Sequence, residues 1–260
     1  MALLEARGLN KTFTAENKPV AAIEQLSLLV EEQEFVSIVG PSGCGKSTFL
    51  HIVGGFEPLT SGEVLLSGRS IGPPGPDRGM LFQDLSLFPW LTALENVCWP
   101  LEMRGWSKPD RLAKARDYLN LVHLSRYADL YPAQLSGGMK QRVALARMLA
   151  LDSQIFLMDE PFGALDSQTR ELLQEELQAI WRQNRKTVLF VTHDIDEAIY
   201  LGTRVIVFTA RPGRIKADIR MSNVDRSGDY RKSPEYLARR VEIWDLLRGE
   251  VLKTRALEEA

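Results

Sequence analysis

The sequence predicts an α/β fold, built as one domain that carries an inserted helical region. An apolar, β-rich run at 35–39 leads through a glycine-rich loop into a helix from Lys46. A second apolar run at 155–158 is continuous, as expected of a parallel strand buried on both faces, and two acids follow it. At 260 residues the chain is long for one domain and short for two, so we expect a single domain with an insertion.

Segments on both sides of the glycine-rich loop complete the first half of the fold. Short β-type segments at 1–30 and about 62–71 predict an antiparallel sheet beside the strand at 35–39. A link rich in proline and glycine follows at 72–76. From about 91–151 helical periodicity dominates, and this region is the predicted insertion. The apolar positions of one such helix are Ala115, Tyr118, Leu119 and Val122.

Beyond the insertion, helical and strand patterns alternate again. The segment 167–186 predicts an amphipathic helix, and 187–193 predicts an apolar strand. The segment 204–219 predicts two strands around an Arg-Pro-Gly turn. The apolar face of the helix consists of Leu173, Leu177, Ile180 and Trp181.

The last part of the chain predicts a helical tail. A turn-rich stretch at 222–228 precedes a helix that Ser233, Pro234 and Glu235 begin in the order cap, proline, acid. Its apolar stripe consists of Leu237, Val241, Trp244 and Leu247. The predicted organisation is therefore a domain at 1–221, with the insertion at about 91–151, and a tail at 222–260.

Composition excludes several classes of protein. A net charge of −2 argues against a protein whose main role is to coat nucleic acid. Two cysteines, Cys44 and Cys98, form neither a disulfide framework nor a metal-ligand spacing, which favours a cytosolic protein. No apolar run reaches the roughly 18 residues that span a bilayer, and we expect neither membrane insertion nor a signal peptide.

The glycine-rich loop has the pattern of a phosphate-binding loop. Its GxxxxGKS spacing places Lys46 and Ser47 directly after Gly45, between a strand and a helix. Glycines let backbone N–H groups face phosphate oxygens, and Lys46 adds a full positive charge to that of the helix N-terminus. A simple glycine turn is the alternative, but it does not explain the lysine and the hydroxyl. The predicted nucleotide-binding residues of this loop are Gly40, Pro41, Ser42, Gly43, Cys44, Gly45, Lys46, Ser47 and Thr48.

The acids after the second apolar run complement this loop. Carboxylates at the carboxyl end of a parallel strand lie where α/β sheets bind ligands. We therefore assign Asp159, together with Ser47, to a Mg²⁺ ion and Glu160 to polarising the attacking water. Without the loop, two solvated acids at a strand end would be the simpler interpretation.

Four later motifs, together with the loop, resemble those of the nucleotide-binding subunit of ABC transporters. They are LSGGMKQR at 135–142, FLMDEP at 156–161, ALD at 164–166 and VTHD at 191–194. Their order and spacing match the family over most of the first 210 residues. The resemblance implies that two subunits meet head to tail. Ser136, Gly137 and Gly138 of one subunit then face the γ-phosphate that the other subunit holds.

The second glycine motif also has a physical interpretation of its own. Ser136 and Gly138 at a helix start can donate hydrogen bonds to an oxyanion. No lysine or metal-binding carboxylate adjoins its serine and glycines, so this loop alone would bind phosphate weakly. An ordinary serine-capped helix over 139–150 is the alternative, with Val143, Ala146, Met148 or Leu149 in the core.

Four further residues gain a role from the resemblance. Gln83 follows a short strand at 80–82 and would bind Mg²⁺ or the catalytic water at a hinge, although a strand-end glutamine is usually just solvated. His193 would reach the γ-phosphate, although a histidine at a strand end is more often structural. Asp166 would cross the dimer interface, cap the following helix, or both. Phe13 would stack on adenine, with a place in the core as the alternative.

The resemblance implies the ATPase subunit of an ABC importer, bound peripherally at the cytoplasmic face of the cell membrane. It would bind ATP and Mg²⁺ and would form a homodimer, or a heterodimer with a related ATPase subunit. Its partners would be membrane permease subunits and, indirectly, an extracellular substrate-binding protein, and not nucleic acid. The alternative is a soluble ABC-type ATPase that acts on nucleic acid or in assembly. Such proteins usually carry long coiled coils, zinc modules or a second cassette, which this sequence lacks.

Two finer expectations concern cargo and docking. The stretches at 72–97, 160–170 and 210–215 look most like the subunits that serve nitrate, sulfonate, taurine and bicarbonate importers. The segment 84–106 is rich in aromatic and apolar residues just after Gln83, where the family builds a groove for a permease helix. The alternative is that these side chains pack inside the helical insertion.

Overall fold

The computed structural model describes residues 2–15, 18–163, 165–222, 226 and 228–258. Ala164 of the ALD motif, and residues 223–225 and 227 of the turn-rich stretch, lie outside the described residues. The strands are β1 (Ala2–Ala15), β2 (Lys18–Glu31), β3 (Phe35–Val39), β4 (Ser61–Leu66), β5 (Arg69–Ser70), β6 (Arg78–Leu81), β7 (Ile155–Asp159), β8 (Thr187–Thr192), β9 (Arg204–Phe208) and β10 (Ile215–Arg220).

The helices are α1 (Lys46–Gly54), α2 (Ala93–Met103), α3 (Lys108–Leu121), α4 (Gly137–Leu151), α5 (Ser167–Asn184), α6 (Ile195–Leu201) and α7 (Pro234–Glu258). Short 3₁₀ turns lie at Ser125–Tyr127, Pro132–Gln134 and Gly228–Lys232. Across the described parts of the chain, no helix is long and apolar enough to cross a membrane. The chain divides into two units, residues 1–75 with 185–260, and residues 76–184.

The first unit contains an antiparallel sheet and parallel strands around the glycine-rich loop. The predicted antiparallel sheet is present, with the strand order β2-β1-β4-β5. Strands β1 and β2 have 14 residues each and are not the short segments that were expected. Register shifts between β1 and β2 mark bulges that let so long a pair bend. Strand β3 pairs in parallel with both β8 and β9, and all five of its residues are buried. This burial on both faces explains why four of its five residues are apolar.

The second unit contains β6, β7 and most of the helices. Strand β6 pairs in parallel with β7, and β7 is buried along its whole length. The strand predicted at 80–82 begins two residues earlier and ends one earlier, because its pairing with β7 runs from Arg78 to Leu81. Helices α2, α3 and α4 fill most of the region predicted as the insertion. Thr92, Ser107 and Ser136 cap their N-termini with side-chain hydrogen bonds.

The tail helix α7 buries a different face from the one that its apolar stripe suggested. Leu247 is buried, but Leu237, Val241 and Trp244 are 52%, 59% and 58% exposed. The buried face consists instead of Tyr236, Ile243, Leu247 and Glu250. The helix packs on α6 and β9 through this face, so long-range packing rather than local hydropathy selects it.

Candidate nucleotide-binding site

The phosphate-binding loop is closed around the side chain of Lys46. Lys46 is buried, and its Nζ donates hydrogen bonds to the carbonyl oxygens of Gly40 at 2.8 Å and Pro41 at 2.9 Å. The ammonium is thereby held against the loop backbone, where phosphate oxygens can replace the two carbonyls as its partners. A buried charge of this kind requires such partners, since burial without them would be costly.

Glycine is required at Gly45 for two separate reasons. Its φ is +100°, in the left-handed region that side chains rarely adopt. A Cβ atom there would also lie 2.8 Å from the carbonyl oxygen of Ala22, so a substitution would clash with backbone. Cys44 beside it is buried, and burial raises the pKa of its thiol, so this cysteine is a packing residue rather than a reactive one.

His193 lies exposed in the turn between β8 and α6. The residue after it, Asp194, caps α6 by accepting hydrogen bonds from the backbone N–H groups of Asp196 at 2.8 Å and Glu197 at 3.2 Å. The residue before it, Thr192, donates a 2.6 Å hydrogen bond to the Glu197 carboxylate. The residues on both sides of His193 are therefore held by hydrogen bonds. These bonds fix the position of the His193 backbone, from which the imidazole extends.

Phe13 is not a core residue. Its side chain is 38% exposed on β1, and the Nζ of Lys11 lies 4.6 Å from the centre of its ring. The exposed ring face is available for stacking, and the core alternative is wrong for this residue. The stacking of Phe13 on adenine remains a prediction.

One cavity of the first unit contains the tip of the phosphate-binding loop and His193. It has a volume of about 470 Å³. Gly40, Pro41, Ser42 and His193 line it together with residues of α6 and α7. The fold thus brings His193 to the loop across more than 140 residues of sequence, because β3 and β8 are adjacent parallel strands.

The second unit carries the two acids. Asp159 is buried as the last residue of β7, and Glu160 is half-buried just beyond it. Glu160 has a φ of +44°, which is unusual for a residue other than glycine. Strained backbone of this kind persists where the surrounding structure holds it and is concentrated at functional sites. No local sequence pattern predicts this backbone conformation.

The second glycine motif and Asp166 form one surface, which we call the signature patch (Ser136, Gly137, Gly138 and Asp166). The hydroxyl of Ser136 accepts a 3.3 Å hydrogen bond from Met139 N–H, and Asp166 accepts one of 3.0 Å from Thr169 N–H. A Cβ atom on Gly138 would lie only 2.8 Å from the Cγ2 atom of Thr169, so glycine permits this close approach. The first turns of α4 and α5 are therefore packed closely against each other.

Both capping alternatives are confirmed, and neither excludes a role toward a ligand. Ser136 is the acceptor in its capping bond, so its hydroxyl proton can still be donated elsewhere. The bond from Thr169 N–H lowers the pKa of Asp166 and keeps this carboxylate charged. Gln83, on the same unit, is exposed two residues after β6.

The site residues expected from the sequence thus fall into two chemically distinct sets. The first unit holds Phe13, the loop 40–48 and His193, which supply an aromatic ring and groups for phosphate. The second unit holds the two acids, Gln83 and the signature patch.

Comparison with known proteins identifies the family to which the chain belongs. The profile of the ABC transporter family matches residues 23–163, which is more than half of the chain. The chain belongs to the ABC transporter family. A nitrate import ATP-binding protein of Synechocystis sp. is 42% identical to it over 98% of each chain. A taurine import ATP-binding protein of Rhizobium johnstonii is 46% identical over 88% of this chain and 90% of its own.

A solved structure extends the comparison to the fold. The ATP-binding cassette MJ0796, in a dimeric post-hydrolysis state with ADP and Pi, is 36% identical, with a TM-score of 0.75. The match covers 85% of this chain and 100% of that chain. These likenesses confirm the expected fold class and family, and this ABC cassette binds ATP and is an ATPase.

The cassette also has an exposed aromatic groove, which we define by Phe88, Trp90 and Trp99. The ring of Phe88 lies 5.6 Å from that of Trp90 and 5.1 Å from that of Trp99, and Trp90 is 70% exposed. The groove opens on a cavity of about 390 Å³ that also contains Glu102 and Arg111. The alternative in which the whole segment packs inside the insertion is therefore wrong.

Two residues that hold the groove were not anticipated. Asn96 is fully buried; its side chain accepts a bond from Phe88 N–H at 2.9 Å and donates to the carbonyl oxygens of Phe88, Leu91 and Thr92. Arg147 donates to the carbonyl oxygens of Leu85 and Ser86, and burial lowers its pKa. The role of Asn96 could be predicted from the sequence only if the start of α2 at the Thr92 cap were already known. The role of Arg147 could not be predicted, because it lies about 60 residues from the loop that it contacts.

Proposed function

We propose that this cassette is the ATP-hydrolysing subunit of an ABC importer for a small anion such as nitrate, taurine or another sulfonate. The observation that carries the proposal is that relatives named for nitrate and taurine import match it over nearly its whole length. An importer subunit of this kind acts at the cytoplasmic face of the cell membrane. It meets the cargo only through permease subunits and an extracellular binding protein.

In this proposal the first unit binds the nucleotide. Phe13 stacks on adenine, and backbone N–H groups of 40–48 surround the β- and γ-phosphates. Lys46 exchanges its bonds to Gly40 and Pro41 for phosphate oxygens, and His193 contacts the γ-phosphate. The enclosed position of Lys46 supports this role, because its charge already lies within the loop.

The second unit supplies the groups that act at the γ-phosphate. Glu160 orients a water and accepts its proton as the water attacks phosphorus. Asp159 and Gln83, together with Ser47 of the first unit, would hold Mg²⁺, which neutralises phosphate charge when bound. This oxygen donor set fits Mg²⁺, which is usually held by one or two carboxylates and substrate phosphates.

ATP would close a dimer head to tail, either with a second copy or with a related subunit. The signature patch of one subunit would cover the γ-phosphate held by the loop of the other. The signature patch supports this arrangement because it offers neutral hydrogen-bond donors and no lysine. It is therefore better suited to contacting a phosphate that another subunit already holds than to binding one alone. Closing and reopening would be passed to the permease.

The aromatic groove is the proposed docking site for a short permease helix. Apolar, aromatic side chains at the surface of a cavity are typical of helix-in-groove recognition. Because Asn96 and Arg147 fix the loop that carries Phe88 and Trp90, the groove exists before a partner binds.

The test replaces Trp90 by aspartate and measures copurification with the permease beside ATP affinity. Since Trp90 is 70% exposed, the variant should fold and bind ATP normally while permease association weakens about tenfold or more. Leu172→Asp, at an exposed leucine of α5, is the matched control. Normal permease association after Trp90→Asp combined with Trp99→Asp would refute the groove, and the lack of any copurifying membrane protein would favour a soluble ATPase.

A further inference from the structure

The exposed face of α7 carries an apolar stripe, which we call the tail stripe (Leu237, Val241, Trp244 and Val251). These residues follow helical spacing along one face, and they are 52%, 59%, 58% and 39% exposed. The exposed Arg248 occupies the remaining position between Trp244 and Val251. A row of large solvent-exposed apolar side chains is unusual on the surface of a protein without a partner and marks a binding site.

The tail stripe is held in a fixed position at its first end. Tyr236 Oη donates a 2.6 Å hydrogen bond to the Asp196 carboxylate, and Arg240 Nε donates one of 2.9 Å to the same oxygen. Asp196 lies in the first turn of α6, three residues after His193. The start of α7 is therefore tied to the segment that positions His193.

Its second end is anchored through the buried carboxylate of Glu250. Glu250 accepts hydrogen bonds from Ala210 N–H at 2.9 Å, Lys216 Nζ at 2.8 Å and Lys253 Nζ at 2.9 Å. With both ends anchored, α7 presents its exposed face in one orientation. Such a surface can bind a partner without first paying the entropy of ordering a loose tail.

The tail stripe leads directly to the phosphate-binding loop. Trp244, Val251 and Leu252 line the cavity of about 470 Å³ that also contains Ser42 and His193. Whatever approaches the loop and His193 from this side therefore meets α7 as well.

We propose that the tail stripe is a contact surface for a second copy of this chain in the ATP-closed dimer. The inference rests on the proposed function, in which the signature patch of the partner approaches the loop and His193. The stripe is continuous with that approach face, because one cavity contains residues of both. Burial of Leu237, Val241 and Trp244 would then stabilise the closed dimer beyond what the nucleotide contacts provide.

The test uses the Glu160→Gln background, in which ATP is retained, and measures ATP-dependent dimerisation by sedimentation velocity. Leu237→Glu with Trp244→Glu should raise the protein concentration at half-dimerisation about tenfold or more, since an aromatic anchor commonly contributes that much. Val241→Lys is a second, milder variant. Leu29→Glu, at an exposed leucine of β2, is the matched control. Thermal unfolding and binding of a fluorescent ATP analogue should be the same for all four proteins.

A photo-crosslinking residue at position 241 gives a direct readout and should form crosslinked dimers only with ATP. Unchanged or tighter dimerisation of the stripe variants would overturn the inference. So would intact dimerisation with weaker permease copurification or weaker binding to phosphatidylglycerol vesicles, which would assign the stripe to the permease or to lipid. If the Glu160→Gln background itself fails to dimerise with ATP, the proposed function fails rather than the inference about α7.

Discussion

At the scale of single residues, Glu160 combines an expected chemistry with an unexpected backbone. Its carboxylate follows a fully buried strand, and its φ of +44° lies in the left-handed region rather than in the β region of the strand before it. A buried strand end gives a carboxylate a defined position, and the strained conformation is retained only if the surrounding structure stabilises it. The residue is therefore placed by β7 rather than by a flexible loop.

Glu160→Gln should lower ATP hydrolysis about 10²-fold or more, because the amide cannot accept a proton from the attacking water. Nucleotide affinity should change little, since the side chain keeps its size and its hydrogen-bonding oxygen. Steady-state phosphate release and equilibrium ATP binding are the two measurements. Glu171→Gln, an exposed glutamate of α5, is the control. Near-normal turnover would assign the principal catalytic role to His193 instead.

At the scale of elements, α7 is held to the rest of the first unit by polar contacts as well as by apolar ones. Glu250 is buried, yet it sits among two ammonium groups and a backbone N–H group. Burial alone would raise the pKa of this carboxyl, but the hydrogen bonds from Lys216, Ala210 and Lys253 lower it to about 2. The charged form is thus the one that anchors the helix.

Glu250→Gln should lower the free energy of unfolding by about 2 kcal/mol at pH 7, as expected for hydrogen bonds to a buried charge. Because the pKa is lower in the folded protein, the stabilisation is complete above the ordinary value near 4.5. It is lost as pH falls from there toward 2. Denaturant unfolding of both proteins at several pH values should show the difference shrinking over this window. Asp245→Asn, on the exposed side of α7, should show no such dependence.

At the scale of the whole molecule, the two glycine motifs offer different and complementary groups to a phosphate. The loop at 40–48 has a lysine and a helix N-terminus for phosphate, whereas the signature patch has only neutral donors and a capping carboxylate. A head-to-tail dimer would let each motif supply what the other lacks. In the solved relative named above the cassette is dimeric.

Mixing two inactive variants tests this arrangement. Lys46→Ala and Ser136→Arg should each lose most ATPase activity, the first by removing the phosphate cation and the second by blocking the patch. A mixed dimer contains one site with both motifs intact, so an equimolar mixture should recover up to about one quarter of wild-type activity. This figure assumes random pairing and independent sites. Recovery no greater than the sum of the separate variants, with mixed dimers demonstrated by tag pull-down, would contradict the trans arrangement.

The sequence by itself determined the features that depend on neighbouring residues. The loop at 40–48, the buried strands β3 and β7 and the serine caps of α4 and α7 require only local spacing, so each was predictable within one or two residues. The family followed from the same contiguous motifs. Hydrogen bonds and turns between residues close in the chain form in much the same way in any surrounding fold.

Only the tertiary structure decided which surfaces face one another. The periodicity of α7 showed an apolar stripe but not that Tyr236, Ile243 and Glu250 would be buried in place of Trp244. Likewise, the close approach of the first turns of α4 and α5 depends on how the two helices pack. The cavity that contains both His193 and the phosphate-binding loop also depends on packing between distant segments. These relations arise from packing between distant segments, where the total buried area and the pairing of buried polar groups outweigh local preference.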